Sequence, residues 1–560
     1  ILAVPVNADG TLPTDILSAS TWKAKDTLTA QDFNTERVIL TYKPSNKKGI
    51  PFRWPTVPAV PLSTELDTVQ SGALQINPDS FANDGLGSSR LNFLRGDRSL
   101  EGSTFKTRNY LLGDIVDSTP SLLEPPSNFS FDSTYNAFKT TYKTRPSVLY
   151  IGANDGMIHG FRVSDGKEVL AYVPNQVFSS INSLTSKTYV HKYFVNGSPV
   201  TGDVKYSNNT WHSILATGMG SGAKGIVTLD ITNPNGFTEA NASNIVKFEF
   251  TPSNDADVGN IIGAPSLVKM NNGKWAVVFG NGYNSSGTGT STLYIVDIET
   301  GNLIKKISTG VGNTTTPNAL QNPTLIDVDG NGTVDYGYAG DSYGRVWKFD
   351  LSSSSTGSWV ISNSGNPVIN VGQPITSQID VAPSKNGGYM LLFGTGKYLE
   401  VTDKADLTGN AFYGVWDNGT STISDLVQQT VTGTVLKNGL TYRKTSTNPV
   451  DYAVKKGWYL TLPVSGERSV TNSIINSGLV YFTSIIPSTN DCSYGGSSWL
   501  MELNYHDGTM PFTAVFDTNN DGKINSNDVV VSGLGYQAIS SSPTILTGLG
   551  VSSSPINMVY

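Results

Sequence analysis

A strand, a Gly-rich tight turn and a second strand recur along this 560-residue chain. A single unit of this kind cannot bury both of its faces, so its repetition at intervals of about fifty to eighty residues predicts the blades of a β-propeller. An apolar strand that follows a small residue and proline accompanies several of the units. The sequence gives six units and favours seven blades; the units lie at 148–161, 213–230, 276–301, 336–351, 390–416 and 479–503.

The composition agrees with an all-β chain, because 57 Gly, 28 Pro and 25 Tyr favour turns and strands, and long amphipathic helical periodicity is hard to find. A chain of this length also exceeds one ordinary core unless it is a repeat architecture. We therefore predict a β-propeller over residues 111–560, with six blades evident and a seventh expected, and an irregular N-terminal region over residues 1–110 packing on it. Inserted loops around 352–370 and 418–442 are expected to carry partner contacts.

Charge and hydropathy exclude several classes of partner. The formal net charge is −7 and no basic block is present, so nucleic acid is not expected as a ligand. No apolar run approaches the ~18 residues that a membrane span needs. The first residues lack the charged start of a signal peptide, and we expect the chain to be an internal fragment or a mature portion of a longer protein. Cys492 is the sole cysteine, so no disulfide can form within the chain.

Residues 327–335, D-V-D-G-N-G-T-V-D, predict a calcium-binding loop between two strand-like runs. A hard cation needs six to eight oxygens, which a loop of this type supplies from alternate positions, with Gly at the sixth for the sharp turn. Position 12, where a helical EF-hand has Glu, is Tyr338, so this is a nine-residue variant. The alternative is an acidic turn that binds nothing. The predicted ligands are Asp327, Asp329, Asn331, the carbonyl of Thr333 and Asp335.

Residues 517–528, D-T-N-N-D-G-K-I-N-S-N-D, predict a second calcium site. This loop is close to the twelve-residue pattern, with Gly522 at position 6 and Asp in place of the final Glu, as in dockerin-like loops. A metal-free turn is again the alternative. The predicted ligands are Asp517, Asn519, Asp521, the carbonyl of Lys523, Asn525 and Asp528. Calcium sites favour an extracellular or periplasmic setting, because free calcium is scarce in the cytosol.

The sequence offers no enzyme active site. The repeats resemble those of quinoprotein dehydrogenases, especially at residues 153–168, but vicinal cysteines are absent and both calcium-type loops look self-contained. The four histidines are isolated from one another and from any zinc-binding pattern, and His159 is expected to be packed or hydrogen-bonded in a blade strand. No nucleophile elbow is present. We predict that the chain is not an enzyme.

The tripeptide Arg95-Gly96-Asp97 is a possible integrin-binding motif, in which the Asp would complete the metal site of the integrin. Tripeptides of this kind also occur by chance. Arg95 and Arg98 could equally form internal ion pairs, and the sequence leaves both interpretations open.

Several stretches resemble the C-terminal domain of the PilC/PilY family of type IV pilus adhesins and biogenesis factors. The matching stretches span most of the chain in the order of the family, and they are residues 94–99, 111–120, 148–161, 322–351 and 392–399. The resemblance implies a modified seven-bladed propeller with calcium in the 327–335 loop. One departure is at residues 492–496, where some members have a cysteine pair and this chain has Cys492 alone.

The resemblance also implies a location at the pilus tip or outer bacterial surface, with minor pilins and a host-cell receptor as partners, and an integrin is one candidate for that receptor. Calcium in the loop would then influence pilus extension against the retraction motor, twitching motility and host attachment. We interpret calcium as a structural switch that relieves repulsion among Asp327, Asp329 and Asp335. In the competing interpretation the protein is an adhesin alone and calcium is purely structural. A quinoprotein-type enzyme is a third alternative.

Overall fold

A computed structural model describes residues 1–7, 12–127, 132–490 and 495–544. These residues form two compact units, Ile1–Pro317 and Asn318–Tyr560. The helices are short: α1 (Ile16–Ala19), α2 (Ala24–Ala30), α3 (Thr68–Gln75), α4 (Gly87–Arg95), α5 (Ser133–Tyr142), α6 (Ala242–Ile245) and α7 (Ser362–Gly365). Turns of 3-10 helix lie at Asn175–Ser179, Ile181–Thr185, Pro234–Gly236, Glu239–Asn241, Thr356–Ser358, Val401–Ala405 and Ile423–Asp425. Every helix of the described residues is too short or too polar to cross a bilayer.

In the first unit, a small ribbon and three larger antiparallel-rich sheets carry the fold. The ribbon pairs β1 (Leu2–Ala3) with β2 (Trp22–Lys23). The first sheet has the order β4-β3-β8-β7-β6-β5 and contains β3 (Ile39–Lys43), β4 (Lys48–Pro51), β5 (Ser121–Leu123), β6 (Val148–Ala153), β7 (Met157–Arg162) and β8 (Glu168–Val173). The second runs in chain order through β9 (Pro199–Lys205), β10 (Trp211–Gly218), β11 (Ile226–Asp230) and β12 (Val246–Phe250). The third does the same through β13 (Ser266–Lys269), β14 (Trp275–Gly280), β15 (Thr290–Asp297) and β16 (Leu303–Gly312).

The second unit contains three further sheets. The first joins β17 (Thr324–Ile326), β18 (Tyr336–Gly340), β19 (Arg345–Asp350), β20 (Val360–Ile361) and β21 (Ile369–Asn370). The next strands are β22 (Asp380–Pro383), β23 (Tyr389–Gly394), β24 (Ala411–Trp416), β25 (Val427–Gln429), β26 (Val431–Lys437), β27 (Leu440–Thr445) and β28 (Gly457–Thr461). The last are β29 (Ile474–Asn476), β30 (Leu479–Pro487), β31 (Gly496–Asn504) and β32 (Gly533–Tyr536). They form two sheets, with orders β22-β23-β24-β28-β25 and β26-β27-β32-β31-β30-β29.

The repeated unit of the sequence is thus the centre of each sheet. In the fourth of these sheets, for example, β18 pairs antiparallel with β19 from Tyr336 opposite Asp350 to Gly340 opposite Val346. The turn between them is held by the buried carboxylate of Asp341, which accepts hydrogen bonds from the indole of Trp347 and the backbone N–H of Arg345. The prediction of blade-like sheets is confirmed, and the described residues contain six sheets of four to six strands. A seventh blade stays a prediction.

Two segments are more regular than the sequence suggested. Within the N-terminal 110 residues, β3 and β4 join the first sheet, with β3 parallel to β8. Helix α3 in the same segment begins with a capping box formed by Asp67 and Gln70. The expected inserted loop at 418–442 contains β25, β26 and the start of β27. The hairpins β3–β4 and β26–β27 are local, but the pairings that place them and β25 in sheets, with β8, β32 and β28, join segments distant in sequence, so no local pattern announces them. The domain boundary at residue 110 stays a prediction.

Candidate metal centre

The predicted calcium loop at 327–335 connects β17 to β18. The two strands pair antiparallel up to Ile326 opposite Tyr336, so all nine loop residues project beyond the last pair of the ladder. Asp335 anchors the end of the loop, because its N–H donates to the Ile326 carbonyl and its own carbonyl accepts from Leu351. The last predicted ligand is therefore fixed by backbone bonds at the base of the hairpin.

Backbone N–H groups fold the loop around its acidic side chains. The carboxylate of Asp327 accepts hydrogen bonds from Gly330 at 2.8 Å and from Gly332 at 2.7 Å. Asp335 is buried, and its carboxylate accepts from the N–H of Val328 at 2.7 Å. Gly332 has φ +83°, a left-handed conformation that an L side chain rarely adopts. The sharp turn that the sequence placed at this glycine is present.

Three carboxylates converge at this loop. Oxygen atoms of Asp327, Asp329 and Asp335 all lie within 4.8 Å of one another. Two oxygens bound to the same Ca²⁺ at 2.3–2.6 Å can be at most about 5 Å apart, so this spacing suits a shared calcium ion. The donor set is all oxygen, which matches a hard cation. Asn331, whose side-chain carbonyl accepts from the N–H of Thr333 at 2.8 Å, lies in the same turn. The residues present fit calcium.

The second predicted loop, 517–528, has a similar internal hydrogen-bond plan. The carboxylate of Asp517 accepts from the N–H of Gly522 at 2.8 Å, as Asp327 does from Gly332 in the first loop. Asp528 closes the loop by accepting from the N–H of Thr518 at 2.7 Å, as Asp335 does from Val328. The two loops thus share a first and a last acidic anchor.

The two loops differ in how closely their carboxylates converge. Among the described residues, a set of three acidic side chains with mutual oxygen distances within 4.8 Å is found at the first loop and not at the second. In the second loop the Asp528 carboxylate is turned toward the backbone. Hydrogen bonds from the N–H groups of Asn525, Asn519 and Thr518 outweigh desolvation and lower the pKa of this carboxyl. Within this loop Asp521 is hydrogen-bonded to Asn519 and to the N–H of Lys523, and Asn525 donates its N–H to Asp528, but the carboxylates do not converge as they do in the first loop.

The Arg95-Gly96-Asp97 tripeptide lies at the end of α4, with its arginine facing inward. The side chain of Arg95 is 1% exposed, donates to the carbonyl of Phe52 and forms an ion pair with Glu239 at 3.0 Å. The carboxylate of Asp97 accepts from the N–H of Ser99. Arg98 pairs with Glu101 at 3.1 Å. The internal ion pairs considered from the sequence are present for both arginines, and an integrin contact through this tripeptide stays a prediction that the arginine's burial does not favour.

The first sheet contains a buried set of linked ion pairs that the sequence did not predict. His159 is fully buried, with its two ring nitrogens 2.7 Å from Glu168 and 3.0 Å from Asp155, and Glu168 also pairs with Arg37 at 2.6 Å. Burial lowers the pKa of His159, but the two carboxylates outweigh it and raise the value to about 9. The expectation that His159 is hydrogen-bonded in a blade strand is confirmed. Asp155 and Glu168 are near His159 in sequence, but Arg37 lies 131 residues before Glu168, so no local signal could reveal the complete set of ion pairs. Cys492 and its neighbours fall outside the described residues.

Comparison with known proteins settles the family. The family model of the PilY1 beta-propeller domain matches residues 112–449. The chain belongs to the PilY1 family. It is 34% identical over 530 residues to the type IV pilus biogenesis factor PilY1 of Pseudomonas aeruginosa (strain PAK), covering 82% of this chain and 45% of that relative. A PilY1 homolog of Xylella fastidiosa is 33% identical over 471 residues, covering 76% of this chain and 32% of the relative.

A solved structure gives the same result for the fold. The crystal structure of the Pseudomonas aeruginosa PilY1 C-terminal domain superposes with a TM-score of 0.64 and 28% identity, covering 76% of this chain and 96% of that one. The resemblance to the PilC/PilY family and the β-propeller class are thus confirmed. The PilY1 relatives are named as biogenesis factors and not as enzymes, in agreement with the prediction of a non-enzymatic chain. The chain spans less than half of the length of either curated relative.

Proposed function

We propose that this chain is the propeller part of a type IV pilus biogenesis factor and that calcium bound by the 327–335 loop controls the order of the β17–β18 hairpin. The observation that carries the proposal is the convergence of Asp327, Asp329 and Asp335 in a hairpin loop of a PilY1-family propeller. The names of the relatives support the pilus role.

Electrostatic interactions make the order of the loop depend on calcium. Three carboxylates within 4.8 Å repel one another, and a divalent cation between them replaces the repulsion by attraction. Asp335 transmits the change to the sheet, because its backbone joins the end of β17 to the residue after β19. With calcium the hairpin is ordered and can dock minor pilins at the pilus tip. Without calcium the loop loosens, and pili fail to stay extended against retraction.

Calcium titration of the purified chain tests the metal site. We expect Asp335→Ala to weaken calcium binding at this loop at least tenfold, because it removes a converging charge. Asp350→Ala is the matched control, because its carboxylate accepts from the N–H of Ser352 at the end of β19, outside the loop. Isothermal titration calorimetry measures both variants. Unchanged calcium heat in Asp335→Ala would remove the loop from the proposal.

The biological role requires the longer protein that contains this chain. In a piliated bacterium that depends on it, we expect Asp335→Ala to lower the number of surface pili and to reduce twitching. Asp335→Lys places a positive charge among the other two carboxylates and should partly restore pili without calcium. An adhesin-only role is the second candidate, with calcium purely structural and host attachment through exposed segments. Normal pilus number with reduced host-cell attachment in Asp335→Ala would favour it.

The proposed location is the outer bacterial surface at the pilus tip, after export through the periplasm. Asp327 and Asp329 are exposed, and an exposed calcium site fits that setting, because extracellular calcium is abundant enough to fill sites of modest affinity. Immunogold labelling of the longer protein on intact, piliated cells tests the location. Label confined to lysed cells would contradict it.

A further inference from the structure

The hairpin formed by β26 and β27 presents an open sheet edge. The two strands are joined by the two-residue turn Asn438-Gly439, in which both residues have positive φ, and they pair from Lys437 opposite Leu440 to Gly433 opposite Lys444. Strand β27 continues inward to β32, so β26 is the outermost strand of its six-stranded sheet. Within the described residues, no other strand lies on its outer side.

The register fixes which backbone groups face outward. In an antiparallel hairpin with a two-residue turn, the pair that flanks the turn exchanges hydrogen bonds and the pairs then alternate. Lys437, Val435 and Gly433 are therefore bonded to β27, whereas the N–H and C=O groups of Thr434 and Leu436 point away from it. Both residues are exposed, and the Leu436 side chain is 71% exposed. Two backbone N–H groups and two backbone C=O groups can therefore form hydrogen bonds with another strand.

The edge carries little of the protection that natural edge strands use. Such strands are blocked by charged side chains, prolines or bulges. Here a bulge lies at the start of β26, between Val431 and Gly433, and the lone charge of the strand is Lys437 at its end. Residues 433–436 between them are uncharged and contain no proline. This stretch of the edge is open to strand pairing.

Charge indicates what kind of strand would pair. Residues 426–450 contain no Asp or Glu, although the whole chain has a net charge of −7. Arg443 of the hairpin is neutralised by buried Glu467 at 2.5 Å. Lys437 and Lys444 remain, and among the described residues neither has a carboxylate within 4.0 Å. They lie on one face of the hairpin, since Lys444 is opposite Gly433 and Gly433 lies four residues from Lys437 on the same strand. This face attracts acidic side chains.

The same charges disfavour pairing of this edge with the same edge of a second copy of the chain. A two-fold pairing centred on Val435 would place Lys437 of one copy opposite Gly433 of the other and beside its Lys444. Two cations, Lys437 of one copy and Lys444 of the other, would then meet at each end of the pairing without an acidic residue. An extended segment of a different polypeptide with an acidic residue opposite Lys437 avoids this repulsion.

We propose that the outer edge of β26 is a strand-addition site for an extended, acidic segment of another protein. The segment runs antiparallel to β26, exchanges backbone hydrogen bonds with Thr434 and Leu436, and places a carboxylate opposite Lys437. The main-chain bonds supply the affinity and the acidic side chain supplies the selectivity. The loop 517–528 supports the turn of the hairpin, because Asn438 donates to the Thr518 carbonyl. The proposal concerns a different surface from the 327–335 loop and does not depend on it.

A preorganised probe peptide tests the site. The probe is a dye-labelled, disulfide-cyclised hairpin whose free strand reads Glu-Thr-Val-Thr-Val, with the Glu opposite Lys437, and its binding is followed by fluorescence anisotropy in calcium-containing buffer. We expect saturable binding. A matched probe with Lys in place of Glu should bind about twofold more weakly or worse, as expected for one surface ion pair. Lys437→Glu should reverse this preference.

Two pairs of controls separate backbone pairing from apolar contact. Leu436→Pro removes an outward N–H that β27 does not use and should weaken binding at least about fivefold, whereas Leu436→Thr keeps the N–H and should stay within about twofold. On the probe side, N-methylation of the two Thr amides should abolish binding to the unaltered protein, which guards against misfolding of the proline variant. Equal losses in Leu436→Pro and Leu436→Thr, no saturable binding, or concentration-dependent dimerisation through this edge would each overturn the proposal.

Discussion

At the scale of single residues, His159 lies at the centre of a buried set of ion pairs in the first sheet. It bridges Asp155 and Glu168, and Glu168 in turn pairs with Arg37 from the N-terminal segment. When the imidazole is protonated, negative and positive side chains alternate along this set of ion pairs. Burial raises the pKa of Glu168, but Arg37 and His159 outweigh it and lower the value to about 2. His159 and Glu168 are therefore both ionised near neutral pH.

The raised pKa of His159 predicts a loss of stability at alkaline pH. The folded value of about 9 exceeds the unfolded reference of about 6.5, so the protonated form stabilises the fold fully below pH 6.5 and loses this contribution as pH rises through 9. The contribution is on the order of 3 kcal/mol at most. Urea denaturation at several pH values between 6 and 10 measures it. His159→Gln should flatten this alkaline slope, and an unchanged slope in that variant would contradict the assignment.

Arg95 and Arg98 are expected to contribute unequally to stability, because the first is buried and the second is partly exposed. Arg95→Ala removes a buried guanidinium together with its hydrogen bonds to two carbonyls, while Glu239 keeps Arg53, and it should lower the free energy of unfolding by about 3 kcal/mol. Arg98 has a side chain that is 40% exposed, so Arg98→Ala should cost less than about 1 kcal/mol. Thermal and urea unfolding measure both. Equal costs would show that the inward position of Arg95 is not maintained in solution.

At the scale of elements, the two acidic loops share a hydrogen-bond plan but differ in setting. The first loop caps the β17–β18 hairpin, and the second lies between β31 and β32. Both loops could be predicted from sequence, because the alternation of oxygen donors with a central glycine is a local pattern. The sequence could not predict that the carboxylates converge only in the first of these two loops. This difference depends on how neighbouring N–H groups orient the Asp335 and Asp528 carboxylates.

Limited proteolysis tests the second loop. Lys523 is exposed in its middle, so trypsin can cleave there when the loop opens. If the loop binds calcium, cleavage after Lys523 should be at least about fivefold slower in calcium than in chelator, because cleavage proceeds from the open form that binding depletes. Mass spectrometry identifies the products. Cleavage after Lys385, exposed in another turn of the same unit, is the internal control. Equal slowing at both lysines would exclude a specific effect on the loop.

At the scale of the whole molecule, both candidate loops belong to the second compact unit, Asn318–Tyr560. We therefore expect calcium to stabilise that unit by mass action, by about 2.7 kcal/mol at a concentration one hundred times the dissociation constant. Hydrogen exchange with mass spectrometry should show the largest gain in protection at residues 328–335. Asp335→Ala should lose this gain and keep any at 518–528. A gain spread evenly over residues 1–317 would contradict the prediction.

The sequence predicted blades where the strands are adjacent in the chain. The hairpin of β18 and β19 was recognisable because its strands flank a short Gly-containing turn. Pairings between distant segments were missed, as with β27 and β32, where Tyr442 lies opposite Leu534. The buried pair of Arg443 with Glu467 was missed for the same reason. Local pattern reveals an element, whereas its distant partners depend on the packing of the whole chain.

The parallel pairing of β3 with β8 has a consequence for the order of folding. Ile39 lies opposite Ala171, about 130 residues later, so the β3–β4 hairpin, which is made early, cannot join its sheet until β8 has been synthesised. Closing so long a loop is entropically costly, and β3 is expected to pair late in the assembly of its sheet. A recombinant chain that begins after residue 51 would leave β8 as an uncovered edge. Such a truncation is expected to aggregate during expression, even though it keeps the whole region matched by the family model.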